Sequence, residues 1–172
     1  MLLTEKLVNT DTYAGRCDIV TGIEDFESDV EYNDELHQYK LNGVILPSVT
    51  QTLDDGSFKN LNAYMQKIVD YACLKGSLVH KEVEEYLVSG DIGFTFELQE
   101  FIKLYHDNID VFETKAIFDV KTFNKITKAK KDKTRKQCEM YSGGVEYLTK
   151  EKIEDFYIIY LPPNAKGQLI KL

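Results

Sequence analysis

No run of apolar residues approaches the roughly 20 that a membrane-spanning helix requires. The opening, MLLTEKLVNT, also lacks the apolar core and small-residue cleavage site of a secretion signal. These two absences set the expectation of a soluble, cytoplasmic protein. Cysteine is scarce: Cys17, Cys73 and Cys138 are odd in number, spread along the chain and without a C-x-x-C pair. That pattern argues against a disulfide framework, a zinc ribbon or a Cys-ligated cluster, and the three read as reduced, mostly packed thiols. With 3 Pro and 10 Gly in 172 residues, 43% hydrophobic and 29% charged, the composition is neither disordered nor collagen-like. It fits one globular domain over residues 1–172, large enough to bury a core without staples. Internal repeats and low-complexity tracts are missing as well.

Positive charge is in short supply overall, and the formal net charge is -8. The average hides an asymmetry. Residues 121–136, KTFNKITKAKKDKTRK, hold eight Lys or Arg and one Asp, a net of +7, while the rest of the chain has 13 basic against 28 acidic residues, a net of -15. The basic segment suits a polyanion, although a charge run of this kind also serves as a plain solvated face.

Short β-type runs at 2–8 and 13–20 flank the polar NTDT and predict a hairpin that puts Asp18 near the end of its second strand. Acidic residues 24–35 read as a linker. HQYKLNGVILPSVTQTL predicts a second hairpin turning at Asn42-Gly43, with Ser48 as an N-cap behind Pro47. Helical spacing runs from Leu61 to about Val88, with a break expected at Lys75-Gly76-Ser77, and resumes over Phe96–His106 on an inner stripe of Leu98, Phe101, Ile102 and Tyr105. AIFDVKTF is a strand. A helix is expected over Lys133–Leu148, with Met140, Tyr141, Val145 and Leu148 inward, and DFYIIYLP and GQLIKL close the chain around a turn at 162–167. Strands and helices mix throughout, giving an α/β or α+β class with a central sheet.

Four constellations could carry chemistry. Asp119 and Lys121 alternate onto one side of a strand, so a carboxylate able to hold a hard cation stands beside an ammonium. Taken alone, a D-x-K is more often a surface ion pair on an edge strand. Gly15 permits close backbone approach and Asp18 offers a second carboxylate, which a divalent cation favours, although an ordinary strand-end Asp fits the pattern equally. His80 and Glu84 share a helix face, where an imidazole can complete a metal shell or be structural. Gln137 and Tyr141, also four apart, sit beside the basic run, placed to touch phosphate or to be a core Tyr with an exposed Gln.

Together these pieces resemble the PD-(D/E)XK nuclease superfamily, in its RecB-type and phage-type exonuclease branch. HQYKLNGVILPSVTQTL looks like that branch's opening wing, KGSLVHKEVEEYL like its G-x-x-x-H helix, YAGRCDIV like its G-x-x-D strand, IFDVKT like its D-x-K strand and QCEMY like its Q-x-x-x-Y helix. The closing FYIIYLPPNAKGQLIKL is similar to its final hairpin. Cys17 stands where the superfamily's name has Pro.

The resemblance implies a restriction-endonuclease-like core, a central mixed sheet flanked by helices with a small antiparallel N-terminal wing. It assigns Asp18, Asp119, His80 and the Val120 carbonyl to one or two Mg²⁺ or Mn²⁺ ions, and makes Asp18, Asp119 and Lys121 the catalytic set, with Lys121 beside the attacking water. DNA contacts fall to Gln137, Tyr141, Lys125, Lys128, Lys130, Lys131 and Arg135, with Glu5 and Glu84 as supporting groups behind the ligands. The implied activity is a metal-dependent deoxyribonuclease, an exonuclease hydrolysing DNA phosphodiester bonds in recombination, repair or phage replication. The implied partner is DNA and not a membrane; a homo-oligomer or a recombination partner protein would add processivity. The alternatives are a catalytically silent DNA-binding module of the same fold and a surface-charged scaffold for a protein partner.

Chain order departs from the family. There the G-x-x-D strand immediately precedes the D-x-K strand, whereas here Asp18 lies 101 residues before Asp119. Placing LLTEKLVNTDTYAGRCDIVTGIED between Val111 and Phe112 would bring Asp18 to 15 residues before Asp119, with Glu5 opening the first strand as the family pattern expects. Either the arrangement is transposed or permuted, or the chain order does not reflect the parental gene. Strands pair in space irrespective of chain order, so the expected site survives only if the first hairpin still lies beside the D-x-K strand.

Overall fold

A computed structural model of the chain describes residues 18–20, 30–33, 38–53 and 61–172. In chain order the elements are β1 (Asp18–Val20), β2 (Val30–Asn33), β3 (Gln38–Leu41), β4 (Val44–Leu46), α1 (Val49–Thr52), α2 (Ala63–Ser89), α3 (Phe96–Asp107), α4 (Ile109–Phe112), β5 (Ala116–Lys121), α5 (Lys128–Thr149), β6 (Asp155–Tyr160) and β7 (Gln168–Lys171). They form an α/β arrangement: a four-stranded mixed sheet in the order β1-β5-β6-β7, flanked by helices, and a separate three-stranded antiparallel sheet β2-β3-β4. Among the described residues no helix is long and apolar enough to cross a membrane.

The wing forms where Asn42-Gly43 predicted its turn. Both residues have positive φ (51° and 78°), as a two-residue type I′ connection requires, and Leu41 pairs with Val44 across it. Ser48 then starts α1 with a full capping box: its hydroxyl accepts from the Gln51 N–H, and the Gln51 side chain accepts from the Ser48 N–H. The linker expected over 24–35 contains a strand instead. Val30–Asn33 adds to the hairpin's edge, and its register sets Glu31 opposite Lys40, so the acidic character that suggested a linker supplies a cross-strand charge pair.

The central sheet is built around β5. Its residues from Ala116 to Val120 are all buried, as an interior strand covered on both faces demands. Alternation sends Ala116, Phe118 and Val120 to a layer with Val79 and Val83 of α2, Leu98, Phe101 and Tyr105 of α3, and Phe112 of α4. Phe118 stacks between Phe112 and Tyr157, with ring centroids 4.6 and 5.1 Å away. Ile117 faces the other layer, with Cys138 and Val145 of α5, Ile153 and Phe156. Because β5 and β6 run parallel they need a crossover, and the 22-residue α5 supplies it. β7 returns antiparallel on β6 through a turn in which Asn164 takes positive φ.

Two expected boundaries move. No break occurs at Gly76: α2 is one helix of 27 residues, because an interior Gly costs only about 1 kcal/mol relative to Ala and leaves the backbone ladder intact. Helix α5 begins at Lys128 rather than Lys133, since Thr127 is an N-cap accepting from the Lys130 N–H and the Lys-rich segment after it consists of good helix formers. Two side chains also differ from expectation. Met140 is exposed, the inward positions of its turn being taken by Cys138 and Ser142, and Cys73 is exposed on α2 while Cys138 is packed. The first predicted strand (2–8), Glu5, Gly15 and Cys17 lie outside the described residues.

Candidate active site

β1 pairs antiparallel with β5, and the register sets Asp18 directly opposite Asp119, Ile19 opposite Phe118 and Val20 opposite Ile117. The strand displaced in sequence is therefore adjacent in space to the D-x-K strand. Directly opposed residues of an antiparallel pair share a face, with Cβ atoms about 4.5–5.5 Å apart, a spacing that lets two carboxylates serve one ion.

Asp119 is 1% exposed. A carboxylate so placed is costly unless paired, and Lys121, two residues on along the same face, stands with Nζ 2.8 Å from Asp119 Oδ2. That face looks toward α5. There Lys121 Nζ also donates to Gln137 Oε1 at 3.2 Å, and Gln137 Nε2 donates to the Tyr141 hydroxyl at 3.2 Å. The D-x-K and Q-x-x-x-Y groups thus join into one hydrogen-bonded chain.

From the opposite layer α2 delivers His80, whose Nε2 donates to the Val120 carbonyl oxygen at 2.9 Å. Gly76 lies one helical turn earlier on the same face. A Cβ at Gly76 would stand 3.5 Å from Thr122 Oγ1, so α2 runs close against the end of β5. A pocket of about 200 Å³ opens there, lined by Cys73, Gly76, Ser77 and His80 of α2 and by Val120, Lys121, Thr122 and Phe123 at and after the end of β5. From the sequence, Ser77, Thr122 and Cys73 had no place at the site, although they line its pocket. Their signal is positional: Cys73 and Ser77 precede His80 by seven and three residues, on its helix face, and Thr122 follows Lys121.

The Asp119 carboxylate and the Val120 carbonyl are oxygen donors of the kind Mg²⁺ or Mn²⁺ takes, and the His80 imidazole lies against the second of them. His80 Nε2 and the Val120 oxygen are 2.9 Å apart with the Nε2 proton between them, so His80 would serve an ion through Nε2 only in the tautomer that carries its proton on Nδ1. Among the described residues no three His, Cys, Asp or Glu side chains gather into a group that could hold an ion. A centre here would draw instead on the Val120 backbone and on Asp18, which is described by its backbone.

The other expected residues that are described lie on α2, on the loop after β5 and on α5. Glu84 lies one turn beyond His80 and is largely exposed; the burial it retains, with Glu85 beside it, holds its carboxyl above the ordinary value. Lys125, Lys128 and Arg135 are exposed and Lys131 is half-buried. Lys130 is folded back, its Nζ donating to the Lys125 carbonyl at 2.9 Å and sitting 4.1 Å from the centre of the Phe123 ring. The cationic residues accordingly occupy the first two turns of α5 and the loop before it, on the element that also carries Gln137 and Tyr141. No family model, curated protein or solved structure matches the chain.

Proposed function

We propose that the protein is a metal-dependent deoxyribonuclease with a PD-(D/E)XK-type core, acting as an exonuclease on DNA. The observation that carries the proposal is the β1–β5 register, which sets Asp18 opposite Asp119 although the two are 101 positions apart in the sequence. Stability does not explain the groups around it. A buried carboxylate–ammonium pair is commonly no more stabilising than an apolar pair of the same volume, so Asp119 and Lys121 are better explained as working groups.

Phosphodiester hydrolysis demands neutralisation of the non-bridging oxygens, an acidified water and relief of charge on the leaving oxygen, which is the chemistry Mg²⁺ or Mn²⁺ supplies when bound. Asp18, Asp119, His80 and the Val120 carbonyl would hold that ion. Lys121 contributes a fixed cation beside it, where a water or a phosphate oxygen would stand. Lys125, Lys128, Lys131 and Arg135 give the acidic chain a local positive track for the DNA backbone.

Asp119→Ala and Lys121→Ala each abolish nucleotide release from linear DNA while keeping the circular-dichroism spectrum of the folded parent, and Lys121→Ala, which leaves the buried Asp119 carboxylate without its ion pair, also lowers the melting temperature. Turnover retained by both variants overturns the assignment.

A further inference from the structure

We infer that Gln137 is a positioning residue for Lys121, held in its working orientation by Tyr141, rather than a residue that grips DNA. For its kinetic readout the inference rests on the nuclease reading above. Its structural basis is a hydrogen-bond chain whose direction is fixed by chemistry.

An ammonium can only donate. Lys121 Nζ is ion-paired with Asp119 Oδ2 at 2.8 Å and lies 3.2 Å from Gln137 Oε1, so the amide oxygen must accept from it. With its oxygen committed to Lys121, the Gln137 amide turns its NH₂ toward Tyr141, 3.2 Å away, and the Tyr141 hydroxyl must accept. A primary amide has no third arrangement that satisfies both neighbours. Lys121 thereby selects which end of Gln137 faces it, and Tyr141 braces the amide from its other end. The hydrogen bond to Gln137 and the charge of Asp119 together hold the ammonium from two directions.

The ladder explains features that a phosphate contact leaves unexplained. Gln137 is half-buried, as is Tyr141, whereas exposed Lys128 and Arg135 lie nine and two residues before Gln137 on the same helix. Gln137 and Tyr141, four apart, stack on one helix face, so the amide reaches from a strand lysine on one side to a phenol on the other. A long lysine stem has many rotamers, and holding its head from two directions removes the freedom that would otherwise weaken any role at a reacting phosphate.

The test compares Gln137→Ala, Gln137→Glu and Tyr141→Phe with the parent, by steady-state DNA cleavage and by NMR of the Lys121 ε-methylene protons. Gln137→Ala should lower kcat about 10- to 100-fold, the range carried by groups that orient a reacting one, with KM nearly unchanged. Gln137→Glu should recover most of that loss, because a carboxylate still offers an acceptor to Lys121 and takes the Tyr141 hydroxyl proton on its other oxygen. Tyr141→Phe should lower kcat less than Gln137→Ala does. A DNA-gripping Gln137 gives the reverse: KM rises in Gln137→Ala and rises further in Gln137→Glu, where an anion meets phosphate. The NMR arm needs no turnover. The two ε-protons should be distinct in the parent and in Gln137→Glu and merge in Gln137→Ala; distinct protons in Gln137→Ala overturn the inference. A parent that cleaves no DNA defeats the nuclease reading alone, and the NMR arm still decides the role of Gln137.

Discussion

Glu100 shows what a single buried carboxylate does in this fold. It is 7% exposed, on α3, and its Oε2 accepts from the Gly167 N–H at 3.2 Å, tying the closing turn to the helix layer. Lys103, with Nζ 2.6 Å from Oε1, holds the carboxyl below the ordinary range; the Gly167 bond adds to this and burial opposes it. A lowered folded pKa means that this stabilisation is present above the unfolded value of about 4.3 and is lost as pH falls through the folded pKa. Glu100→Gln should therefore be less stable than the parent in urea titrations at about pH 7, with the gap closing toward about pH 3. A gap independent of pH would contradict this account. At the same scale, strand alternation was enough to place Asp119 and Lys121 on one face, and helical spacing to pair His80 with Gly76. The contact between Lys121 and Gln137 was not legible, because it depends on how the α5 crossover lies over β5, and no local period encodes that.

At the scale of elements, the connection from α2 to α3 is secured by Glu82. Its buried carboxylate accepts from the Phe94 N–H at 2.9 Å, from the Thr95 N–H at 3.2 Å and from the Thr95 hydroxyl. Thr95 is itself the N-cap of α3, so one side chain of α2 orients the start of the next helix. Gly93 passes so close that a Cβ there would lie 2.5 Å from Glu82 Cδ, and the three bonds leave that group no cheap way to move. Gly93→Ala should cost about 1–3 kcal/mol by overpacking. Glu82→Ala should cost about 2 kcal/mol or more through unsatisfied backbone donors. Urea midpoints unchanged by both would refute the clamp. Elements with a strong local signal were legible: the Asn42-Gly43 turn, α3 with its stripe, β5 and the closing hairpin. The early start of α5 was missed although Thr127 carried it, because the Lys run masked the apolar period. β2 was missed because a short edge strand stabilised by cross-strand partners looks, in one dimension, like an acidic linker.

For the whole molecule, the decisive feature is charge placed against the average. A chain of net -8 repels a polyanion at long range, yet the stretch from Lys121 to Lys136 gathers its cations on the loop and first turns of α5, beside the candidate site. Binding to duplex DNA should weaken steeply with salt. Replacing exposed Lys128 and Arg135 together by Ala should flatten the slope of log K against log salt by roughly 2. An unchanged slope would move the DNA track elsewhere. The overall architecture was foreseeable from the mix of strands and helices, but adjacency of β1 and β5 was not, since sequence separation says nothing about which strands pair across 101 residues.

That adjacency is the centre of the account, and Asp18→Asn tests it most directly. Nucleotide release from linear DNA would be followed with Mg²⁺ or Mn²⁺ for the parent and the variant, with a chelator control. The account predicts metal-dependent release by the parent and its near-complete loss in Asp18→Asn, with the melting temperature preserved. Release by Asp18→Asn at the parental rate would show that the displaced strand contributes no ligand, and would contradict it.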